Sequence, residues 1–153
     1  MTTVRIRVGI LSGCLALAAC TAHAPPESTR AAVAIRAVLE ADSELGGVRN
    51  HASESQPLAE AVRAYVGGLD AIDFGECPPD FTSAFRRHRD AWHESIRYFE
   101  EHDELRGELH DVFKEIRESG ADARTRIEGI EKDILDTWAE VQAAVDRHGS
   151  GSI

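Results

Sequence analysis

The sequence predicts an all-α protein, a bundle of four or five antiparallel helices. Apolar residues recur three or four positions apart in several stretches, which places them on one face of a helix. No stretch alternates apolar and polar residues over a useful length, as a half-buried strand would, and no internal repeat is apparent. The helical stretches together cover residues 30–149, about 120 residues. This is the size of one ordinary domain, so we expect the helices to share a single core.

The strongest helical pattern follows Cys77. Pro78 and Pro79 suit the first turn of a helix, and Asp80 places a carboxylate at the positive end of the helix dipole. Cys77 is therefore expected at or just before a helix N-terminus. One face of this helix carries the apolar or aromatic residues Phe81, Ala84, Phe85, His88, Ala91, Trp92, Ile96 and Phe99.

Two weaker helices are predicted before Cys77. The first covers residues 30–45, with Ser28 or Thr29 as its cap; Gly46 and Gly47 end it, and residues 48–56 form a loop. The second has Ser55 as its N-cap, Pro57 in its first turn, and apolar residues at helical spacing as far as Ile72. Gly67 and Gly68 within it indicate either a kink or a close approach by another helix.

Two further stretches follow residue 99. The stripe from Leu105 to Ile116 is rotated by about a quarter turn from the preceding one, which predicts a break at residues 101–104, with Asp103 as a cap. A single helix over residues 80–118 remains the alternative. The last helix is expected over residues 122–148, with Gly149 at its C-cap and residues 150–153 as a loose tail.

The start of the chain has the pattern of a signal peptide. Arg5 and Arg7 precede an apolar run over residues 8–16, which is too short to span a bilayer. The run ends in Leu17, Ala18, Ala19 and Cys20, which resembles the lipobox of bacterial lipoproteins.

The resemblance to lipoproteins implies cleavage after residue 19 and lipidation of Cys20. Thr21, where inner-membrane lipoproteins often carry Asp, implies sorting to the outer membrane, with the protein on its periplasmic face. Residues 20–29 would then be the lipidated cysteine and its tether, and residues 30–149 the helical domain. Several acyl chains on one cysteine anchor a protein almost permanently.

The net charge and the cysteine content limit the kinds of partner that this protein can bind. The chain carries a net charge of −10, and removing residues 1–19 makes it two units more negative. A protein this acidic is repelled by nucleic acid and by anionic head groups, so neither is expected as a partner.

Cysteine pairing within the chain is not expected. Cys14 would leave with the signal peptide and Cys20 would be lipidated, so Cys77 has no partner in its own chain. Its thiol is then either buried and inert or available for an intermolecular disulfide.

Four residues are candidates for chemistry. Cys77 at a helix N-terminus is a candidate reactive thiol, although a buried, inert cysteine is the simpler interpretation. His88 lies on the apolar face, where a core histidine satisfied by hydrogen bonds is favoured over a ligand. His93, three residues after Asp90, and His110 are weak metal candidates, because a di-iron bundle needs such a pair twice.

No cofactor is expected from these patterns. There is no Cys-x-x-Cys-His motif for haem attachment, and the motifs of hydrolases, nucleotide-binding loops and zinc proteases are absent. An acidic helix face is interpreted as a solvated surface rather than a cation site. Its members are Glu104, Glu108, Asp111 and Glu115.

The sequence therefore favours a lipid-anchored envelope protein that works as a protein-interaction or scaffold module in the periplasm, and not an enzyme. The alternative is a small-ligand or metal-binding bundle, and a thiol-dependent enzyme using Cys77 comes third. The Cys-Pro-Pro-Asp-Phe start at Cys77 and the positions of Trp92 and Trp138 are similar to small helical bacterial lipoproteins, a resemblance that implies no activity. The partner is expected to be another envelope protein.

Overall fold

A computed structural model describes residues 26–149, and all regular structure within them is helical. The fold class predicted from the sequence is confirmed. The signal peptide, Cys20 and the tail after residue 149 lie outside the described residues, so those expectations stay predictions. The five helices are α1 Glu27–Ser53, α2 Leu58–Asp70, α3 Pro79–Glu100, α4 Leu109–Ser119 and α5 Ala121–Arg147.

The helices pack in a chain of pairs. The most extensive contact joins α3 to α5, α2 packs on both α1 and α3, and α4 packs on α5. The α3 stripe supplies the largest buried side chains, Phe81, Phe85 and Phe99, as the sequence predicted. None of the helices in the described part of the chain is long and apolar enough to cross a membrane.

Helix α1 is longer than predicted at both ends. It begins at Glu27 rather than at residue 30, and neither Ser28 nor Thr29 makes a capping hydrogen bond. It also continues through Gly46 and Gly47 to Ser53, so the loop expected over residues 48–56 is largely wrong. Contacts hold its last turns: Ser53 is fully buried and its carbonyl accepts a hydrogen bond from the Gly107 amide at 2.6 Å. Tertiary packing here outweighs the low helix propensity of glycine.

Helix α2 runs through its glycine pair without a break. A Cβ on Gly68 would lie 2.5 Å from a terminal methyl of Leu45, so α1 packs against α2 at this point. Close packing, one of the two expectations for this pair, is thus confirmed for Gly68. The predicted cap is wrong, because Pro57 occupies the N-cap position and the Ser55 hydroxyl donates to the Ala52 carbonyl instead.

The expected break after α3 is confirmed, and the single long helix is excluded. The connection is longer than predicted, because α4 begins at Leu109 and Asp103 does not cap it. Leu105 is buried in this connection, and its carbonyl accepts a hydrogen bond from the first amide of α2 at 3.0 Å. Gly107 adopts a φ of 108°, a left-handed conformation that favours glycine.

The bounds of α5 agree with the prediction to within one residue. Gly149 follows its C-cap with a φ of 70°, the expected helix stop.

Candidate binding groove

A groove of about 490 Å³ lies between α1 and α5, with side chains of α2 and α3 as its floor. We call it the α1–α5 groove. A second hollow of about 520 Å³ shares Asp42, Ser43 and Trp138 with it and extends it along α1. The α1–α5 groove is lined by Asp42, Ser43, Gly46, Gly47, Arg49, Asn50, Tyr65, His88, Trp92, Ile134, Leu135 and Trp138.

The glycine pair of α1 leaves one wall of the groove bare. A Cβ on Gly47 would meet nothing within 4 Å, and one on Gly46 would meet only the end of the Arg49 side chain at 3.9 Å. Leu135, on the opposite wall, is 59% exposed, which is unusual for a large apolar residue of this protein. The groove therefore offers open backbone on one side and apolar surface on the other.

His88 forms the floor of the groove together with both tryptophans. The Trp92 indole N–H donates to His88 Nε2 at 3.1 Å, and His88 Nδ1 lies 3.1 Å from the Thr137 hydroxyl oxygen. Because the indole nitrogen is only a donor, His88 Nε2 must accept, and the ring proton resides on Nδ1 and is donated to Thr137. The His88 ring also packs on Trp138, with the ring centroids 5.1 Å apart.

This hydrogen bonding fixes the protonation state of His88. Burial lowers its pKa to about 4; a backbone hydrogen bond at Ile134 acts in the opposite direction, and the Arg49 charge lowers the pKa further. A proton on Nε2 would also displace the Trp92 hydrogen bond. His88 is therefore a neutral, satisfied core histidine at physiological pH, the interpretation that the sequence favoured.

A second polar cluster lies beside His88. The Tyr65 hydroxyl donates to Asp42 at 2.6 Å, and the central carbon of the Arg49 guanidinium lies over two rings, 4.6 Å from the Tyr65 centroid and 4.4 Å from that of Trp92. Burial raises the pKa of Asp42, against the effects of Tyr65 and Arg49, and burial lowers the pKa of Arg49. Burial and the Asp42 carboxylate raise the pKa of Tyr65. Charged groups thus lie half-buried at the base of an open groove.

Cys77 lies at the other end of the molecule, two residues before α3. Burial, followed by the Asp73 carboxylate, raises the pKa of its half-buried thiol, and the thiol makes no hydrogen bond within residues 26–149. His148 lines the same cavity, but its Nε2 lies 2.9 Å from an Asp80 carboxylate oxygen. The site has the opposite of the low pKa that an activated thiol needs.

The three histidines considered for a metal are not brought together. His88 is buried with both ring nitrogens engaged, while His93 and His110 are exposed. In the described part of the chain, no group of three or more His, Cys, Asp or Glu side chains is placed to hold a metal ion. The acidic face of α4 and the connection before it is exposed, as predicted. Asp90 accepts its hydrogen bonds from Arg89 and not from a histidine.

Sequence reasoning missed Asp42, Arg49 and Tyr65. Asp42 and Arg49 are seven positions apart, which places them on the same face of a continuous helix. The signal was hidden because Gly46 and Gly47 were interpreted as the end of that helix.

No known protein family, no characterised protein and no solved structure matches this chain. The function is therefore inferred from the geometry of the groove.

Proposed function

We propose that this chain is a lipid-anchored envelope protein that binds another protein through the α1–α5 groove. The observation that carries the proposal is the composition of the groove, in which half-buried charges and aromatic rings face an open channel between two helices. Hollows with a few convergent polar groups on an apolar background are typical binding sites. Aromatic and arginine side chains are also the residues that contribute most at protein interfaces.

The chemistry of the side chains favours binding over catalysis. The low pKa of His88 keeps its ring neutral at neutral pH, and hydrogen bonds to Trp92 and Thr137 occupy both ring nitrogens, so neither nitrogen is open to a substrate. The raised pKa of Cys77 makes its thiol a poor nucleophile. A cysteine thiol paired with a base, which a thiol-dependent enzyme requires, is not among the contacts of residues 26–149.

The proposed anchor places the groove at a useful distance from the membrane. If Cys20 carries the lipid, residues 21–26 span at most roughly 20 Å before α1 begins. Asp42 lies fifteen residues along α1, which adds roughly 22 Å at 1.5 Å per residue. The groove would thus lie within about 40 Å of the outer membrane, where a periplasmic or membrane-bound partner can reach it. The acidic body disfavours nucleic acid as that partner.

A pair of glycine variants tests the groove. Gly47→Trp fills the groove, and Gly129→Trp on α5 adds the same side chain at an exposed position with nothing within 4 Å. Both lipoproteins are crosslinked in intact envelopes and purified. We expect a stoichiometric partner with the unmodified protein and with Gly129→Trp, and its loss with Gly47→Trp. Equal recovery from the two variants, or no partner at all, would contradict the proposal.

The anchor has a separate test. Cys20→Ser should abolish labelling by radioactive palmitate and release the protein from the membrane fraction. Labelling that persists in this variant would contradict lipidation at Cys20.

The second candidate function is small-ligand binding, which the volume of the groove favours, since ligand sites usually measure roughly 300 to 1,000 Å³. Native mass spectrometry of the purified protein separates the two functions. A bound small molecule that Gly47→Trp removes, without any protein partner, would favour the ligand site.

A further inference from the structure

We propose that Arg49 is the recognition residue of the α1–α5 groove, and that it binds a carboxylate of the partner protein next to a large apolar side chain. This inference rests on the proposed function and specifies which chemical groups of the partner protein bind in the groove.

Arg49 differs from the other arginines of residues 26–149. Most of these pair with a carboxylate on the protein surface, namely Arg63, Arg87, Arg89, Arg97, Arg117, Arg126 and Arg147. The others without such a pair are exposed to water, namely Arg30, Arg36, Arg86, Arg106 and Arg124. Arg49 alone among the described arginines is half-buried without an ion pair, in a chain with 27 acidic residues.

Contacts with two aromatic rings hold the Arg49 guanidinium ready for a ligand. Its central carbon lies over both the Tyr65 and the Trp92 ring, which restricts its position, so less conformational entropy is lost when an anion binds. Its guanidinium donates two hydrogen bonds to the Asn50 side-chain oxygen, from Nε at 3.3 Å and from Nη2 at 3.0 Å. A guanidinium has five N–H donors, so donors remain even if the Tyr65 hydroxyl accepts one of them. A carboxylate accepts two such bonds in parallel.

The surroundings of Arg49 favour a monoanion on a protein segment. The half-buried Asp42 carboxylate lines the same groove and opposes a doubly charged group such as phosphate. The exposed Leu135 side chain and Trp138 form the apolar wall across from α1. The bare backbone at Gly46 and Gly47 admits the main chain of an extended peptide. A carboxylate followed or preceded by a large apolar side chain matches these surfaces.

A peptide pair tests the carboxylate directly. The probes are acetyl-Ala-Ala-Ala-Leu with a free carboxylate and the same peptide with a C-terminal amide. They are titrated into the full-length lipoprotein in detergent micelles, and NMR records the indole N–H signals of its two tryptophans, Trp92 and Trp138. We expect saturable shifts of both signals, with a Kd at least tenfold lower for the carboxylate form than for the amide.

Variants of two arginines on α1 connect this preference to Arg49. Arg49→Gln should reduce the tenfold preference to less than twofold, while Arg36→Gln, exposed and outside the groove, should leave it unchanged. Arg49→Lys keeps the charge and loses the planar donors, so it should retain only part of the preference. Circular dichroism measures whether each variant folds. If Arg49→Gln does not fold, the preference of Arg49→Lys for the carboxylate peptide is compared with that of the parent protein instead.

Three results of the peptide and phosphate titrations would overturn the inference. They are equal affinity of the acid and the amide, an unchanged preference in both Arg49 variants, and inorganic phosphate shifting the indole signals more strongly than the carboxylate peptide. If Gly47→Trp loses the envelope partner while Arg49→Gln and Arg49→Lys keep it, the recognition role of Arg49 fails and the proposed function stands. If Gly47→Trp keeps the partner, the proposed function itself fails.

Discussion

Two hollows in the described part of the chain, similar in size, lie at different points along α1, and their side chains differ in kind. The Cys77 cavity measures about 580 Å³ and lies where the starts of α1 and α3 meet the end of α5. Its charged residues Glu27, Arg30 and Glu76 are exposed to water, and His148 in its wall lies 2.9 Å from an Asp80 carboxylate oxygen. The α1–α5 groove, at about 490 Å³, holds Asp42 and Arg49 half-buried and without an ion pair among the described residues.

The difference shows that volume alone does not identify a functional site. Exposed ion pairs contribute about 0 to 1 kcal/mol and need no ligand to satisfy them. Half-buried charges have lost part of their hydration, so an incoming group that pairs with them gains more. The smaller hollow is for this reason the better candidate for binding.

The largest expected effect is on the pH dependence of stability, which separates the two hollows. The pKa of His88 is about 4 in the folded protein and about 6.5 when unfolded, so the unfolded state binds the extra proton first as pH falls. The contribution of neutral His88 to the free energy of unfolding should be fully present above pH 6.5. It should be lost as pH falls from 6.5 to 4, which lowers stability by on the order of 3 kcal/mol. Urea denaturation at a series of pH values measures it.

The titration of Asp80 affects stability in a lower pH range than that of His88. The hydrogen bonds from His148 and Arg147 lower its pKa to about 2, so its contribution is present above the unfolded pKa and is lost only as pH falls from about 4 to 2. Asp80→Asn should therefore lower stability by a constant amount above pH 4, and should remove only the part of the pH dependence that lies between pH 4 and 2. A loss between pH 6.5 and 4 that persists unchanged in a His88→Leu variant would contradict the assignment to His88.

Substitution of His88 itself is expected to have the next largest effect. His88→Leu leaves the buried Trp92 indole N–H without its acceptor, and an unsatisfied buried donor costs about 1 to 3 kcal/mol. Chemical denaturation at pH 7.5, where His88 is neutral, isolates this loss from the effect of pH. Unchanged or increased stability would show that His88 is not a satisfied core histidine.

One glycine from each pair, Gly68 on α2 and Gly47 on α1, should respond to substitution by alanine in opposite directions. Gly68→Ala places a Cβ 2.5 Å from the Leu45 side chain, and overpacking of this kind costs about 1 to 3 kcal/mol. Gly47→Ala meets open space, so it should stabilise the helix by about 0.5 to 1 kcal/mol. Thermal melts of both variants against the parent protein measure the difference. Destabilisation by Gly47→Ala would show that the groove is less open than described.

The smallest effect is expected at Cys77. Burial and Asp73 raise the pKa of its thiol, so its alkylation by iodoacetamide at pH 7 should be slower than that of an unstructured cysteine peptide. Asp73→Asn should accelerate the reaction slightly. If Cys77 were alkylated faster than the cysteine of the peptide, the Cys77 cavity would be a reactive site and this account of the thiol would be wrong.

The sequence predicted the parts of the fold that depend on strong apolar periodicity. The α3 stripe and the extent of α5 follow directly from it, because the pattern there reflects burial. The break after α3 was also evident, as a rotation of the stripe.

The site was harder to predict than the fold. The continuation of α1 through Gly46 and Gly47 depends on contacts with residues far along the chain, such as the hydrogen bond between Gly107 and Ser53. Since Arg49 belongs to that continuation, its stacking on Tyr65 and Trp92 had no local signal. The interpretation of His88 succeeded because a histidine on an apolar face requires a hydrogen-bond partner wherever that partner comes from.

Photocrosslinking at two positions is the most direct test of the groove as the interaction surface. A photoreactive amino acid replaces Leu135 in the groove or, as the control, the exposed Lys114 on α4, in the full-length protein within intact envelopes, where the proposed function places it. We predict one discrete crosslinked protein from position 135, which is lost when Gly47→Trp is added, and none from position 114. The same product from both positions, or a product at 135 that Gly47→Trp does not affect, would contradict the account.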